Sequence, residues 1–342
     1  MPIVAIPSLL RNLTGGEESI TVPGATIREV INNLEVRYSG MKARLCEEDH
    51  IKPGIAIYVN GLLTRGSLLE RVDADAEIHF LPAIGGGIAQ FETLQPIPNK
   101  LVVLTFDDGN KSDYTYVRPL LKRYGFGATF FITEGLGFLN NKDHYVTWEE
   151  IRELHEEGFE IGNHTRHHKN VNTQSKEELL ADLIYIDQQC ESYGIPIPET
   201  FGYPGDSRGP EAVAVLREKG YHFARRGIGP EFPYHLEGGR GPAYDPDIHH
   251  PLVIPSTGVP GPSYGFDDLV WAIEQAKDGK IAVLTFHGVP ALEHPWVDVP
   301  PDQFKTYMDY LRDSGCTVIA LRDLAKYVDP SESLGKSITY FP

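Results

Sequence analysis

The chain has 342 residues, longer than one ordinary core requires unless that core is an α/β barrel, so one large domain or two unequal ones are admissible. Its 31 basic residues against 48 acidic ones leave a formal charge of −17, which repels phosphate backbones and anionic membrane surfaces and argues against nucleic acid or a membrane as partner. Cys46, Cys190 and Cys316 lie far apart without C-x-x-C spacing, no apolar run approaches the ~18 residues of a membrane span, and "MPIVAIPSLLRNLTGG" lacks a secretory pattern, so a soluble, cytoplasmic chain with reduced thiols is expected.

In chain order, the first segment reads as short strands around one helix. "PIVAIPS" and "ESITVPG" are expected strands, followed by a helix over "TIREVINNLEVRY" with Thr26 as N-cap and Ile27, Val30, Ile31 and Leu34 on one face. "AIYVNG" and "EIHFLPAI" complete a small α+β unit of β-grasp order. Then "GGGIAQFETLQPIPNK" joins three glycines to Pro96 and Pro98, a linker composition. The expected layout is a domain over 1–87, a linker over 88–100, a larger domain over 101–330 and a tail over 331–342.

The larger segment alternates apolar runs with helical ones. "KLVVLTFDDG", "GATFFIT", "FEIGNHT", "ETFGYPG", "YHFARRG", "IAVLTFHGV" and "CTVIALRD" read as strands, and the stretches between most of them carry helical periodicity that mostly ends at a glycine. Such repetition predicts a parallel sheet, open or closed into a barrel.

In such folds the loops after the strands carry the site, and polar residues cluster there: Asp107 and Asp108, His164, Tyr203, Arg225 and His287. Two adjacent carboxylates at the edge of an apolar interior repel, so one is neutral or a cation sits beside them. Gly109 lets the chain turn and re-aim both side chains into one pocket with different roles. "GNHTRHHKN" offers further ligands: His164 and His168 are spaced i, i+4, with His167 as an i, i+3 rival. One Asp with two His is a three-ligand set that leaves open positions, the arrangement of a hydrolytic site. The bland reading of the same cluster is a solvated, histidine-rich loop.

"TFDDG", a later H-T-x-x-H and the strand-ending "VLTFHGV" resemble the polysaccharide deacetylase group (NodB homology, carbohydrate esterase family 4) over about residues 98 to 328. The resemblance implies a distorted (β/α) barrel, Asp107 as general base, Asp108, His164 and His168 as ligands of a zinc- or cobalt-type ion, and His287 as general acid. It selects His168 over His167. The implied reaction is hydrolysis of an N-acetyl or similar amide, with the oxyanion held partly by a backbone N–H in the turn Tyr203-Pro204-Gly205. Where the family often has arginine, Gly202 stands in "FGYPGD", and Arg225 in "HFARRG" is expected to supply the guanidinium from the next strand. The acid's usual Asp-x-x-Asp-Trp support is not recognisable; "YDPDIHH" comes nearest. Trp148, Trp271, Trp296 and Tyr203 are candidates for stacking on a sugar ring, though most are expected to be packing residues. The other readings are a metal-independent cyclic-amide hydrolase and an eroded, non-catalytic barrel.

Residues 2 to 87 resemble the MoaD/ThiS group of ubiquitin-like sulfur carriers through "IYVNG" and the terminal "VDADAEIHFLPAIGGG". That resemblance implies a protein partner and a Gly-Gly end that needs a free carboxylate, whereas here Gly86 and Gly87 run into further chain. An uncut fusion, with the glycines as linker, is preferred over a carrier precursor cut after Gly87, because glycine runs are common linkers.

Overall fold

The computed structural model describes all residues except 8–9, 12, 48–49, 53–54, 61, 65–67, 69–70, 83–93, 234–237 and 331–342. Gly86, Gly87, most of the first half of the expected linker and the expected tail therefore lie outside the described residues. The chain divides into two compact units, Met1–Phe91 and Glu92–Pro342.

In the smaller unit, β1 (Ile3–Ala5) pairs antiparallel with β2 (Ser19–Thr21) and parallel with β7 (Glu77–Pro82), which pairs antiparallel with β5 (Ile55–Val59); β6 (Leu62–Leu63) closes the order β2-β1-β7-β5-β6. Helix α1 (Ile27–Arg37) begins where the Thr26 side chain accepts from the Glu29 backbone N–H at 3.3 Å. Its buried face, Ile27, Val30, Ile31 and Leu34, joins Val4, Ile20, Ile57, Ile78 and Phe80 in one core. The single expected helix is in fact followed by a short second one, α2 (Met41–Leu45), and a hairpin of β3 (Cys46–Glu47) and β4 (His50–Ile51). Gly40, at φ 93°, makes the turn between the helices, and Met41 and Leu45 anchor α2 in the core.

The larger unit is built on parallel strands: β8 (Leu101–Phe106), β9 (Thr129–Ile132), β10 (Glu160–Asn163), β11 (Thr200–Gly202), β12 (Phe223–Arg225), β13 (Ala282–Phe286) and β14 (Thr317–Ile319). They run in the order β12-β11-β10-β9-β8-β13, with β14 also pairing β8. Residues 254–258 then span the remaining gap: Ile254 bridges Arg225 on β12, and Gly258 bridges Leu284 on β13. The sheet is thereby closed into a distorted barrel by an irregular segment that sequence periodicity does not announce. Strand β8 is buried along its whole length, on both faces. Val102, Leu104 and Phe106 join the core that also takes in helix residues, while Leu101 and Val103 join Phe131, Tyr244, Ile281 and Val283 in a second core.

The expected helices appear as α3 (Arg118–Tyr124), α4 (Trp148–Glu156), α5 (Lys176–Ser192), α6 (Pro210–Lys219), α7 (Phe266–Glu274) and α8 (Pro301–Asp313). Capping boxes start α4 at Thr147 with Glu150 and α5 at Ser175 with Glu178. Gly125 at φ 68° and Gly220 at φ 87° end α3 and α6 in the left-handed conformation. Among the described residues no helix is long and apolar enough to cross a membrane.

Candidate active site

The strands of the larger unit deliver the site from their C-terminal ends. Asp107 follows β8, with its backbone N–H donated to Phe286 O at 3.0 Å, and the next two residues turn sharply: Asp108 has φ 75° and Gly109 φ 66°. Left-handed backbone at an aspartate is uncommon and costs energy. Here it separates the two carboxylates. Asp107 turns toward Arg225, whose Nη2 bonds its Oδ1, while Asp108 turns toward histidines.

His164 follows β10, fully buried, and its Nδ1–H donates to Gly202 O at 2.7 Å. That bond fixes the tautomer and leaves the Nε2 lone pair facing the site. The chain then makes a tight turn, with Thr165 at φ 61° and His168 at φ 54°; Thr165 N–H donates to Asn163 Oδ1 at 2.9 Å and His168 N–H to Thr165 Oγ1 at 3.1 Å. The i, i+4 pair is thus gathered by side-chain-bonded turns, not by a helix. Gly135 packs against this turn so closely that a Cβ there would lie 2.7 Å from His167 C and 2.9 Å from His168 Cβ.

His164 Nε2 lies 3.5 Å and His168 Nε2 3.2 Å from Asp108 Oδ1, and one ligand atom from each of the three residues falls within 4.8 Å of the others. His167 turns away, its Nδ1 2.7 Å from Asp182 Oδ1. Burial alone would raise the Asp108 carboxyl, but contact with His164, His168 and His294 holds it well below the usual carboxylate range. Its Oδ1 is buried with no hydrogen-bond partner among the described residues. A buried, ionised and unbonded oxygen facing two oriented imidazole nitrogens fits a divalent cation held by one oxygen and two nitrogens.

Asp107 lies on the flank, its Oδ2 3.9 Å from both His164 Nε2 and His287 Nε2. Arg225 is fully buried beneath it, stacks on Phe131 at 5.2 Å and faces Asp206 at 3.7 Å. Gly202 explains how it fits: a Cβ there would lie 2.9 Å from Arg225 Nη2 and 2.9 Å from Phe131. Absence of a side chain on β11 is the room that the guanidinium from β12 fills.

The other expected residues are placed as follows. Tyr203 is buried and gives its hydroxyl hydrogen bond to Leu252 O at 2.9 Å and its backbone N–H to Arg225 O at 3.0 Å. Pro204 has no N–H, so Gly205, exposed at φ 55°, carries the remaining candidate donor of that turn. In "YDPDIHH", Asp245 N–H donates to His249 Nδ1 and Asp247 N–H to Asp245 Oδ1; His287 Nδ1 is buried without a partner among the described residues. Trp148 is a packing residue bonded to Glu134 and stacked on Tyr193, whereas Trp296 is 69% exposed and lies against His294.

Two residues were missed in the sequence. His294, in the loop after β13, brings Nδ1 to 3.4 Å from Asp108 Oδ2. Its seven-residue distance from His287 in "HGVPALEHPW" fits no regular element and so carried no signal. Asp113 is buried with neither oxygen hydrogen-bonded among the described residues; burial, with Asp108 and Asp107 nearby, pushes its carboxyl well above the usual range.

The family models match both units: residues 4–87 match the ThiS family, and residues 95–224 match polysaccharide deacetylase. Sulfur carrier protein CysO of Mycobacterium tuberculosis is 38% identical over 91 residues, 25% of this chain and 96% of that protein. The chain joins a ThiS-family unit to a polysaccharide deacetylase domain. For the deacetylase domain, the peptidoglycan-N-acetylglucosamine deacetylase of Bacillus cereus is 33% identical over 128 residues, 36% of this chain and 56% of that protein. The chain thus spans about half the length of that relative, and 43% of a putative polysaccharide deacetylase of Bacillus subtilis. Among solved structures, the Xyl-CE4 domain of a xylanase from the hindgut metagenome of Trinervitermes trinervoides matches with a TM-score of 0.47 at 18% identity, covering 70% of this chain and 97% of that one.

Proposed function

We propose that the deacetylase domain hydrolyses a carbon–nitrogen amide bond, removing the acetyl group from an N-acetylated sugar or a related amide. The observation that carries this reading is the convergence of Asp108, His164 and His168, with Asp107 and His287 on one flank, at the strand ends of this domain. The Bacillus relative's name, which specifies N-acetylglucosamine, supports a sugar as the substrate class.

Asp108, His164 and His168 would hold a divalent cation, zinc or cobalt by the character of the donors. When bound, it would supply Lewis-acid polarisation of the acetyl carbonyl and a lowered pKa for water. Asp107, held by Arg225, takes the proton of the attacking water. His287 returns a proton to the leaving amine, releasing acetate and the free amino sugar. The Gly205 N–H is the donor assigned to the developing oxyanion.

The test is metal content and acetate release from N-acetylglucosamine oligomers, for the whole chain and for Asp108→Ala. A near-stoichiometric metal lost in the variant, with acetate released by the parent, supports the reading. No metal even after soaking with zinc or cobalt would sink it and favour the metal-independent cyclic-amide hydrolase or a non-catalytic barrel.

A second reading concerns the smaller unit, because the match to a sulfur carrier covers nearly all of that carrier. We place this unit at 1–87 and the deacetylase domain at 101–330, joined uncut through 88–100, with the ThiS-family unit serving as a docking module for a protein partner. Intact mass from the native host tests it: a species ending at Gly87 would establish processing and a working carrier.

A further inference from the structure

The two oxygens of Asp108 face different partners. Oδ1 points at the His164–His168 pair, whereas Oδ2 lies 3.4 Å from His294 Nδ1. Among the described residues these three histidines are the basic groups within 4 Å of the carboxylate. The two histidines of the cluster have props of their own. His164 is held through Nδ1 by Gly202 O, and the His168 backbone is held by Thr165. Asp108 sits on left-handed backbone, and its terminal torsion is soft, so a contact on Oδ2 is what decides which oxygen faces the cluster.

His294 is itself well fixed. Its N–H donates to Ala291 O at 3.1 Å, and its carbonyl accepts from Val297 N–H at 3.0 Å. The loop is pinned by Ala291 N–H on Asp298 Oδ1 at 2.7 Å and by Ser112, which accepts from Val289 N–H at 2.8 Å and donates to Pro290 O at 3.0 Å. Ser112 lies four residues beyond Asp108, so the loop is tied to the same turn it serves. The imidazole lies against the exposed Trp296 ring, with centroids 5.1 Å apart at 35°.

We propose that His294 is a positioning residue for Asp108: with its proton on Nδ1 it holds Oδ2, so that Oδ1 is presented to the cation shared by His164 and His168. Trp296 fixes the plane of the imidazole. This rests on the metal cluster of the proposed function and not on the reaction assigned to it.

The experiment is Co²⁺ and Zn²⁺ affinity of the full chain by chelator competition, with the visible spectrum of the cobalt form as a second readout. Groups that orient a metal ligand cost ~10–100-fold in affinity when removed, and His294→Ala is expected to lose that much and to change the cobalt spectrum. His294→Gln, whose amide donates a hydrogen bond, is expected to recover most of the loss, and circular dichroism establishes that each variant is folded. Trp296→Ala, which keeps the imidazole but frees its plane, is expected to fall between. Affinity and spectrum unchanged in folded His294→Ala would overturn the proposal. A wild-type chain that takes up neither metal removes the cluster and the proposal together. One that binds cobalt or zinc but releases no acetate from any sugar removes only the proposed reaction.

Discussion

Asp107 and Arg225 form a fully buried pair, and the consequence of breaking it is asymmetric. Removing the guanidinium in Arg225→Ala leaves Asp107 in a desolvated place with its strongest partner gone, so a stability loss of ~3–5 kcal/mol is expected in denaturant unfolding. Gly202→Ala is expected to be felt at the same spot, since its Cβ would press on Arg225 Nη2 and Phe131; overpacking of this kind costs ~1–3 kcal/mol. Asp107→Asn keeps the volume and removes the charge, and it is expected to retain metal while kcat for deacetylation falls by ~10²–10⁴-fold. These residues differ in how far the sequence revealed them. The pair of carboxylates and the histidines stood out because like charges and metal-binding side chains at strand ends need an explanation. Arg225 was nameable from the missing arginine at Gly202, but its bond to Asp107 was not, because it joins residues 118 apart in the chain. Asp113 and His294 act through burial and proximity alone, which leave no trace in local pattern.

At the scale of elements, helices and strands were largely legible because each carries its own period and its own stops. The exceptions are the segments whose conformation is imposed from outside. Residues 254–258 close the barrel by bridging two strands while their own sequence, "IPSTG", reads as a turn. Contacts between elements add modest increments. Arg118 at the start of α3 reaches Glu157 at the end of α4, its Nε 2.6 Å from Oε2, with Lys122 Nζ 2.8 Å from Oε1. This pairing lowers the Glu157 carboxyl to about 2, below its ordinary value of about 4.3. Its stabilisation is therefore complete above about pH 4.3 and lost as pH falls through about 2. Because the pair is partly solvated, Glu157→Gln is expected to cost only ~1 kcal/mol at pH 7. That difference should vanish in unfolding curves measured toward pH 2.

At the scale of the whole molecule, each unit has a core of its own. The buried residues of the smaller core run from Val4 to Phe80, and those of the larger unit's clusters begin at Leu101. Every residue proposed for metal binding and catalysis lies in the larger unit. A chain beginning at Glu92 is accordingly expected to fold and to bind zinc or cobalt as tightly as the full chain, which calorimetric titration of both would check; a large loss on truncation would make the ThiS-family unit part of the site. Metal is also expected to stabilise the fold, by ~2.7 kcal/mol at a free concentration one hundred times Kd, since it binds the folded state alone. The sequence by itself determined the order of elements, the two-part organisation and the residue types available for chemistry, because periodicity, caps and turn residues act over a few positions. Only the tertiary structure decided which of those residues meet. It turned His167 away to Asp182, joined Arg225 from β12 to Asp107 at the end of β8, and brought His294 to Asp108, because side-chain convergence depends on strand register and barrel closure, and no local pattern encodes either.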